Sequence, residues 1–360
     1  MACATQPILI PAKRQRLVDN NLLLEIKDLR VSFPLDEGTV RAVEGVDLTM
    51  RRGEVLGVVG ESGCGKSITA HSILRIIPQP GRIDAGQILF HPSDHSGANG
   101  DGVVDLAALN PTGSEIRKIR GKDIAMIFQE PMSSFSPVHT IGDQVSEAIL
   151  LHQTVTKEKA REMTIQLLRL VGIPSAAERV DNYPHQFSGG MRQRAMIAMA
   201  LSCNPALLIA DEPTTALDVT IQAQILELMR GLQKRLGMAI MFITHNLGVI
   251  AQIADTVAIM YLGQVVEYGP VREILRNPKH PYTVDLLRAV PRLGKTAGQR
   301  LVAIEGSIPS PFQRPSGCPF HPRCSRAMAG RCEVHMPAVT HLDDQHTVRC
   351  LLYEPEKQNA

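Results

Sequence analysis

The sequence predicts an α/β protein whose core is a parallel sheet flanked by helices. Three short, almost wholly apolar runs, at residues 53–60, 206–211 and 238–244, have the character of buried strands. Between the last two lies IQAQILELMRGLQKRLG, an amphipathic segment that ends in Gly, as α-helices often do. Strands that alternate with helices in this way indicate a parallel sheet covered by helices.

The segments before and between these strands have other patterns. Residues 22–33 and 40–50 alternate apolar and polar side chains, which predicts two antiparallel strands joined by a turn at 34–39. Residues 91–105 are rich in Gly, Asp, Ser and Asn, and this composition predicts a loop. From about residue 114 to 180, apolar residues recur at a spacing of three and four, which predicts helices.

Composition excludes several classes of function. The 360 residues carry a net charge of +2, so no strong global field favours nucleic acid or anionic lipid as a partner. Trp is absent and aromatics make up 4%, which argues against base stacking as the main activity. No run reaches the roughly 18–20 apolar residues of a membrane span, and the first residues lack a secretory signal pattern. We therefore expect a protein of the reducing cytosol with a loose N-terminal tail at 1–21.

The stretch GESGCGKS, at residues 60–67, matches the phosphate-binding pattern G-x-x-x-x-G-K-[ST]. It follows a predicted strand and opens a predicted helix, where glycines let backbone N–H groups surround phosphate oxygens. Lys66 would add charge near the β- and γ-phosphates, and Ser67 would offer a hydroxyl to Mg²⁺. A glycine-rich turn with a solvated lysine is the alternative. Because Cys64 stands near a helix N-terminus, we expect the pKa of its thiol to be lowered.

Two acids end the apolar run ALLIADEP, at residues 206–213. Asp211 is suited to hold Mg²⁺, and Glu212 is placed to polarise an attacking water as general base. The alternative is an acidic helix cap that follows a strand.

The stretch QFSGGMRQRAMIAMAL, at residues 186–201, resembles the signature motif of the ATP-binding cassette (ABC) family, whose usual form is L-S-G-G-Q. Other motifs resemble the family in the same order. Gln129 in MIFQEP resembles the Q-loop, TALD at 215–218 resembles the D-loop, and His245 in FITHN resembles the switch histidine. Phe33 in VSF resembles the adenine-stacking aromatic.

This resemblance implies an ABC nucleotide-binding domain at 22–270, with a RecA-like core, an antiparallel β subdomain and a helical subdomain at about 114–200. The residues implied to bind ATP are Phe33, Gly60, Glu61, Ser62, Gly63, Cys64, Gly65, Lys66, Ser67, Ile68, Gln129, Asp211 and His245. The implied catalytic residues are Glu212, His245 and Gln129, and the implied Mg²⁺ ligands are Ser67, Gln129 and Asp211.

A head-to-tail dimer is also implied, in which the signature of one cassette closes on the ATP of the other. The residues with this role are Ser188, Gly189, Gly190, Met191 and Asp218. Met191 departs from the family pattern, since it stands where Gln is usual and cannot make the hydrogen bonds of an amide. Because Ser188 and Gly190 remain to contact the phosphate, we expect activity to persist.

The proline-rich extension at 271–360 narrows the resemblance. NPKHPYTVDLLRAVP at 277–291, with EGSIPSP, CPFHPRC and HTVRC after it, resembles ATPase subunits of the oligopeptide/dipeptide/nickel importer subfamily. The implied function is ATP hydrolysis that drives uptake of di- and oligopeptides, at the cytoplasmic face of the bacterial cell membrane. The implied partners are a second, different ABC ATPase chain, two transmembrane permease subunits that contact residues 134–142, and indirectly a solute-binding protein.

Other cargoes and another class of protein stay open at this point. Relatives in the subfamily import oligosaccharides, opines or nickel, and the ATPase does not touch the cargo. A soluble ABC ATPase of translation or DNA repair would usually carry tandem cassettes or a long coiled coil, and the sequence shows one motif set and no sustained heptads. We expect no nucleic acid as a partner.

Four cysteines crowd the extension: Cys318, Cys324, Cys332 and Cys350. They include no C-x-x-C pair, so common zinc patterns fit poorly, whereas four thiolates can hold a [4Fe–4S] cluster. Members of the importer subfamily carry such a cluster on a similar arrangement, and the resemblance therefore implies one here. Zinc, free thiols and a disulfide are the alternatives. Arg323, Arg331 and Arg349 are expected to offset the negative charge of a cluster.

Overall fold

The computed structural model describes residues 21–92, 102–129, 135–215, 217–289 and 304–354. The predicted N-terminal tail, apart from Asn21, lies outside the described residues, as do residues 93–101 of the predicted loop. Ser134 of the predicted permease-facing segment and Ala216 of the D-loop motif lie outside them too.

An antiparallel sheet contains the first two predicted strands. Its order is β2 (Gly38–Arg51), β1 (Leu22–Leu35), β4 (Arg82–Phe90) and β5 (Val104–Asp105). The two predicted strands are confirmed, and they leave only Asp36 and Glu37 for the turn between them. The loop prediction is wrong at Val104 and Asp105, because these residues pair with Phe90 and Leu89 at the end of β4.

The second sheet contains the buried core strands. Its order is β11 (Thr340–His341), β12 (Thr347–Val348), β10 (Gln264–Pro270), β9 (Thr256–Tyr261), β3 (Val55–Val59), β8 (Ala239–Thr244), β7 (Leu207–Asp211) and β6 (Ile124–Ile127). Strands β9, β3, β8, β7 and β6 run parallel, and the other three pair antiparallel. Every residue of β3, β7 and β8 is buried, which confirms the three predicted core strands.

Strand β6 corrects the prediction that the segment from about residue 114 to 180 is helical. The run IAMI pairs in parallel with β7, from Ile124 opposite Leu207 to Ile127 opposite Ala210. An apolar run of four residues has no measurable periodicity, so the neighbouring strand decides its conformation.

Helices cover the sheets and connect their strands. They are α1 (Lys66–Ile73), α2 (Ser114–Ile119), α3 (Ile141–His152), α4 (Lys157–Leu170), α5 (Ala176–Arg179), α6 (Gly189–Ala200), α7 (Val219–Leu236), α8 (Leu247–Ile253), α9 (Val271–Arg276) and α10 (Pro281–Ala289). Thr140 starts α3 with a capping box to Asp143, and Gly237, in the left-handed region, ends α7 as predicted. Within the described ranges, none of the helices is both long and apolar enough to span a membrane.

The C-terminal extension packs on the cassette as part of one core. Its strand β12 pairs with β10, with Val348 opposite Glu267. Phe320 is 1% exposed, and its ring centroid lies 5.2 Å from that of Tyr261 in β9 and 5.4 Å from that of Tyr282 in α10. The proposed boundary between residues 270 and 271 therefore falls within one continuous apolar cluster. The domain limits themselves stay predictions.

Replacing Phe320 with Ala should destabilise the fold by about 3–5 kcal/mol, because the cavity forms where extension and cassette meet. Circular dichroism during urea unfolding measures this, and suits a chain without Trp. The control is Phe312→Ala, since Phe312 is 40% exposed. Equal stability of the two variants would mean that the extension does not contribute to the stability of the cassette.

Candidate nucleotide-binding site

The loop at 60–67 joins β3 to α1, and its backbone lies very close to strands β2 and β9. Gly65, with φ +98°, directly precedes α1, and a Cβ there would lie 2.3 Å from the carbonyl oxygen of Ala42 in β2. A Cβ at Gly60 would lie 2.2 Å from the carbonyl oxygen of Met260 in β9. Only glycine fits at these two positions. Because glycine has no side chain to cover the backbone, the N–H groups of the loop can face a phosphate.

Lys66 supplies the charge of the loop. Its side chain folds back, and Nζ donates to the carbonyl oxygens of Gly60 at 2.8 Å and Glu61 at 3.0 Å. The ammonium therefore lies over the loop that would hold the phosphates. Cys64 is 3% exposed, and burial raises the pKa of its thiol, so the prediction of a lowered pKa is wrong. Burial here outweighs the nearby charge of Lys66.

Asp211 lies at the carboxyl end of β7 and is 3% exposed. Burial raises the pKa of its carboxyl group, and a hydrogen bond from the Ser67 hydroxyl partly opposes this. Its Oδ1 atom is buried without a hydrogen-bond partner in the described part of the chain. A buried, unsatisfied carboxylate oxygen beside a hydroxyl is a donor set that fits Mg²⁺, which prefers oxygen ligands. Two of the three predicted Mg²⁺ ligands are thus brought together.

The other two predicted catalytic residues, Gln129 and His245, both contact the carboxylate of Glu212. Gln129 Nε2 donates to Oε2 at 3.3 Å, and His245 Nδ1 lies 3.2 Å from Oε1. Thr215 Oγ1 donates to Oε2 at 2.9 Å. Gln129, predicted also as a Mg²⁺ ligand, contacts Glu212 in this arrangement. The three predicted catalytic side chains therefore form one cluster.

The environment of Glu212 lowers the pKa of its carboxyl group. Burial by itself would raise the pKa of Glu212, but the hydrogen bonds from His245 and Thr215, with the charges of His245 and Lys66, outweigh it and the pKa is lowered. Glu212 is therefore a carboxylate at neutral pH and can accept a proton from water. Its backbone has φ +46°, in the left-handed region where a non-glycine residue is uncommon and often functional.

The signature residues lie at the starts of two neighbouring helices. Ser188 begins α6 and its Oγ accepts from the Met191 N–H at 3.3 Å, while Asp218 begins α7 and accepts from the Ile221 N–H at 2.9 Å. A Cβ at Gly190 would lie 3.0 Å from Cγ2 of Ile221, so the glycine permits this close packing. Ser188 and Asp218 are exposed, and no hydrogen bond or ion pair among the described residues joins them to the loop at 60–67. Their role toward a second cassette stays a prediction.

Met191 and Phe33 pack against apolar neighbours. Met191 lies half-buried and packs against the core. Phe33, also half-buried, packs so closely that a Cβ on Gly81 would lie 2.5 Å from its Cε1 atom. A cavity of about 370 Å³ beside Gly63 is lined by Phe312 of the extension, but not by Phe33. The adenine-stacking role of Phe33 therefore stays a prediction.

Sequence reasoning missed the residues that tie the extension to the loop. The Glu61 N–H donates to Tyr282 Oη at 3.0 Å, and the Glu61 carboxylate pairs with Arg323. Arg323, expected to offset the charge of a cluster, is thus engaged by the nucleotide loop instead. The HPYT segment, which contains Tyr282, indicated the family but not this contact. The pair of Glu61 and Arg323 is separated by 262 positions, so no local sequence pattern could predict it.

The four extension cysteines lie in a small lobe that follows residue 304. Cys318, Cys332 and Cys350 are buried, Cys324 is half-buried, and all four are free thiols. Burial, helped by the neighbouring thiols, raises the pKa of both Cys318 and Cys350 to about 11. Across the described ranges, no group of three or more His, Cys, Asp or Glu side chains is placed to hold a metal ion. The geometry of the thiols therefore does not support the predicted cluster.

Comparison with known proteins identifies the family of the chain. The pattern of the ABC transporter family matches residues 43–215, and that of the oligopeptide/dipeptide transporter C-terminal region matches residues 266–332. The chain belongs to the ABC transporter family, and it is an ABC ATPase, the ATP-hydrolysing subunit of a transport system.

The relatives match along nearly their whole length. A Brucella ovis protein whose name describes peptide import and ATP binding is 50% identical over 92% of this chain and 97% of its own. The dipeptide transport ATP-binding protein DppD of Bacillus subtilis is 48% identical, over 94% of this chain and 97% of its own. A dimeric, ADP- and phosphate-bound structure of the cassette MJ0796 covers 69% of this chain and 99% of its own at a TM-score of 0.59, and its 23% identity supports the fold alone.

Replacing Asp211 with Asn should separate stability from metal binding. The folded pKa of Asp211 is raised above 3.8, so the ionised form opposes folding once the pH exceeds that folded pKa. At pH 7 the Asn variant without nucleotide should melt no lower than wild type, yet lose the stabilisation by MgATP, which reaches about 2.7 kcal/mol at a hundredfold excess over Kd. Melting with MgATP and with ATP plus EDTA measures both.

The matched control for this experiment is Asp36→Asn, at an exposed position in the β1–β2 turn. This variant should keep the full MgATP-dependent shift. A Mg²⁺-dependent shift that survives in Asp211→Asn would exclude Asp211 as a metal ligand.

Proposed function

We propose that the chain is the ATPase subunit of a multi-subunit importer that takes up di- and oligopeptides across the bacterial cell membrane. The observation that carries this is that a match to the ABC transporter family at 43–215 is followed in the same chain by a match to the oligopeptide/dipeptide transporter C-terminal region at 266–332. Relatives named for dipeptide and oligopeptide transport are 48% identical over 97% and 90% of their own lengths, so the similarity includes the extension. We place the chain at the cytoplasmic face of that membrane.

The site supports hydrolysis in which each acid has its own task. Mg²⁺, held by Ser67 and Asp211, would neutralise charge on the β- and γ-phosphates. Lys66 turns from the loop carbonyls to the phosphates, which the loop's backbone N–H groups surround. Glu212 takes a proton from the attacking water, and His245 orients the carboxylate by its contact with Oε1.

The exposed surfaces support the proposed partners. Ser188 and Asp218 lie at open helix starts, where a second ATPase chain would bring its bound ATP. Beyond Gln129, the loop at 135–140 is held by hydrogen bonds between Gln144 and Ser136, and it presents Val138 at 73% exposure. An ordered loop with an exposed apolar tip suits contact with a permease subunit. A solute-binding protein would deliver the peptide on the other side of the membrane.

Glu212→Gln should abolish peptide uptake while ATP binding is kept. Loss of a general base lowers hydrolysis by about 10²–10⁴-fold. Uptake of a labelled dipeptide is measured in cells that carry the whole transporter, with Glu227→Gln as control, since Glu227 is an exposed acid on α7. Hydrolysis that persists in Glu212→Gln would contradict the base assignment. A binding protein of the same system that takes an oligosaccharide, opine or nickel but no peptide would contradict the cargo.

We also propose that Cys318, Cys324, Cys332 and Cys350 bind a [4Fe–4S] cluster when the protein is loaded. Each sulfur accepts a backbone N–H, as thiolate ligands commonly do: that of Met328 lies 3.3 Å from the Cys332 sulfur, and Phe320, Arg326 and Leu352 serve the others. The backbones of Cys318 and Cys332 are joined by a hydrogen bond of 2.8 Å. This bond brings two of the four proposed ligands next to each other along the chain's fold, and we propose that the four side chains converge when the cluster binds.

Protein purified without oxygen should be brown, absorb near 400 nm and hold about four iron atoms per chain. Cys332→Ser should lose iron and sulfide, whereas Cys203→Ser, a half-buried cysteine of the cassette, should keep both. Colourless protein without iron contradicts the proposal, and stoichiometric zinc would identify the alternative metal.

A further inference from the structure

Glu61, the second residue of the phosphate loop, is held from three directions. Its carbonyl oxygen accepts from Lys66 Nζ at 3.0 Å, and its N–H donates to Tyr282 Oη at 3.0 Å. Its carboxylate accepts two hydrogen bonds from Arg323, from Nη1 to Oε2 at 2.8 Å and from Nη2 to Oε1 at 3.1 Å. Two of these three anchors come from the segment after residue 270.

The Arg323 guanidinium is also held in place by groups other than Glu61. Its side chain is 4% exposed, and Nε donates to the carbonyl oxygen of Glu305 at 3.1 Å. Nη1 also lies 3.5 Å from Tyr261 Oη, and the guanidinium carbon lies 5.9 Å from the centre of that ring. A planar guanidinium so oriented presents two parallel N–H groups to a carboxylate, a geometry that a lysine cannot copy.

The position of Arg323 depends on the cysteine lobe, the segment at 304–354 that contains the four extension cysteines. Its backbone N–H donates to the Phe320 carbonyl oxygen at 3.0 Å, in the turn between Cys318 and Cys324. The Phe320 ring seats this turn on Tyr261 and Tyr282. A shift of the turn would therefore move the guanidinium relative to Glu61.

We propose that Arg323 is a positioning residue for the nucleotide site, through which the cysteine lobe sets the affinity for MgATP. When phosphates bind, Lys66 must leave the carbonyl oxygens of Gly60 and Glu61, and the loop loses those internal bonds. The pair with Arg323 and the bond to Tyr282 then keep the first turn of the loop in place. A loop already ordered binds more tightly, because less conformational entropy is lost on binding.

The test is equilibrium binding of MgATP to the full-length chain by calorimetry. Arg323→Ala should raise Kd about tenfold, the size of a typical coupling between contacting groups, and Arg323→Lys should lie between this variant and wild type. Arg326→Ala is the matched control, since Arg326 is an exposed arginine of the same lobe that interacts with Tyr353. It should bind as wild type does.

Two further readouts distinguish positioning from a general loss of structure. In the assembled transporter, Arg323→Ala should raise KM for ATP while kcat at saturating ATP falls less than twofold. Glu61→Gln combined with Arg323→Ala should bind MgATP no more weakly than the worse single variant, because both remove one interaction. A merely structural role would lower the fraction of active protein and leave the Kd of the folded fraction unchanged.

The inference rests on ATP binding by this site, and the outcomes separate the two. If wild-type chain does not bind MgATP, the assigned site fails. If wild type binds and Arg323→Ala binds equally well, or if the effects of Glu61→Gln and Arg323→Ala are additive, the site stands and the role of Arg323 is wrong. An equal loss in Arg326→Ala would trace the effect to the charge of the lobe rather than to the pair.

Discussion

The close approach of the phosphate loop to two strands is the constraint on which the nucleotide site depends. At Gly60 and Gly65 the backbone comes so near to β9 and β2 that a side chain would collide with a carbonyl oxygen. Gly263, at the tip of the β9–β10 hairpin, holds the loop in this position. Its N–H donates to the carbonyl oxygen of Cys64 in the loop, and its own carbonyl oxygen accepts from the Glu44 N–H in β2. One hairpin thus joins the loop, the antiparallel sheet and the core sheet.

Asp211 and Glu212 show how two adjacent acids acquire different chemistry. Asp211 ends a buried strand, where burial raises its pKa and leaves an oxygen unsatisfied, a state that a cation relieves. Glu212 turns away through a left-handed backbone and meets donors that lower its pKa. A single change of backbone conformation therefore separates the acid that we propose to bind Mg²⁺ from the acid that we propose to accept the proton.

The sequence predicted the parts of the molecule that are encoded locally. The strand, glycine loop and helix around Lys66 lie within about twenty residues, so their order along the chain could be predicted from the local pattern alone. The cluster of Gln129, Glu212 and His245 came from ordered motifs, although their distances could not be known. Strand β6 was missed, because four apolar residues carry no period and its partner β7 lies 83 positions away at Ile124 and Leu207. The pair of Glu61 and Arg323 was missed because neither residue signals the other.

Strand β12 has a consequence for the order in which the protein is made. It pairs with β10 through Val348 and Glu267, and His346 beside it places Nε2 2.9 Å from the buried Glu267 carboxylate. Until residues 346–348 have left the ribosome, β10 presents an unpaired edge and Glu267 lacks one of its partners. An open strand edge is a template for pairing with other chains, and a buried carboxylate short of partners is costly. We therefore expect the nascent cassette to expose this edge of β10 to other chains until β12 is added.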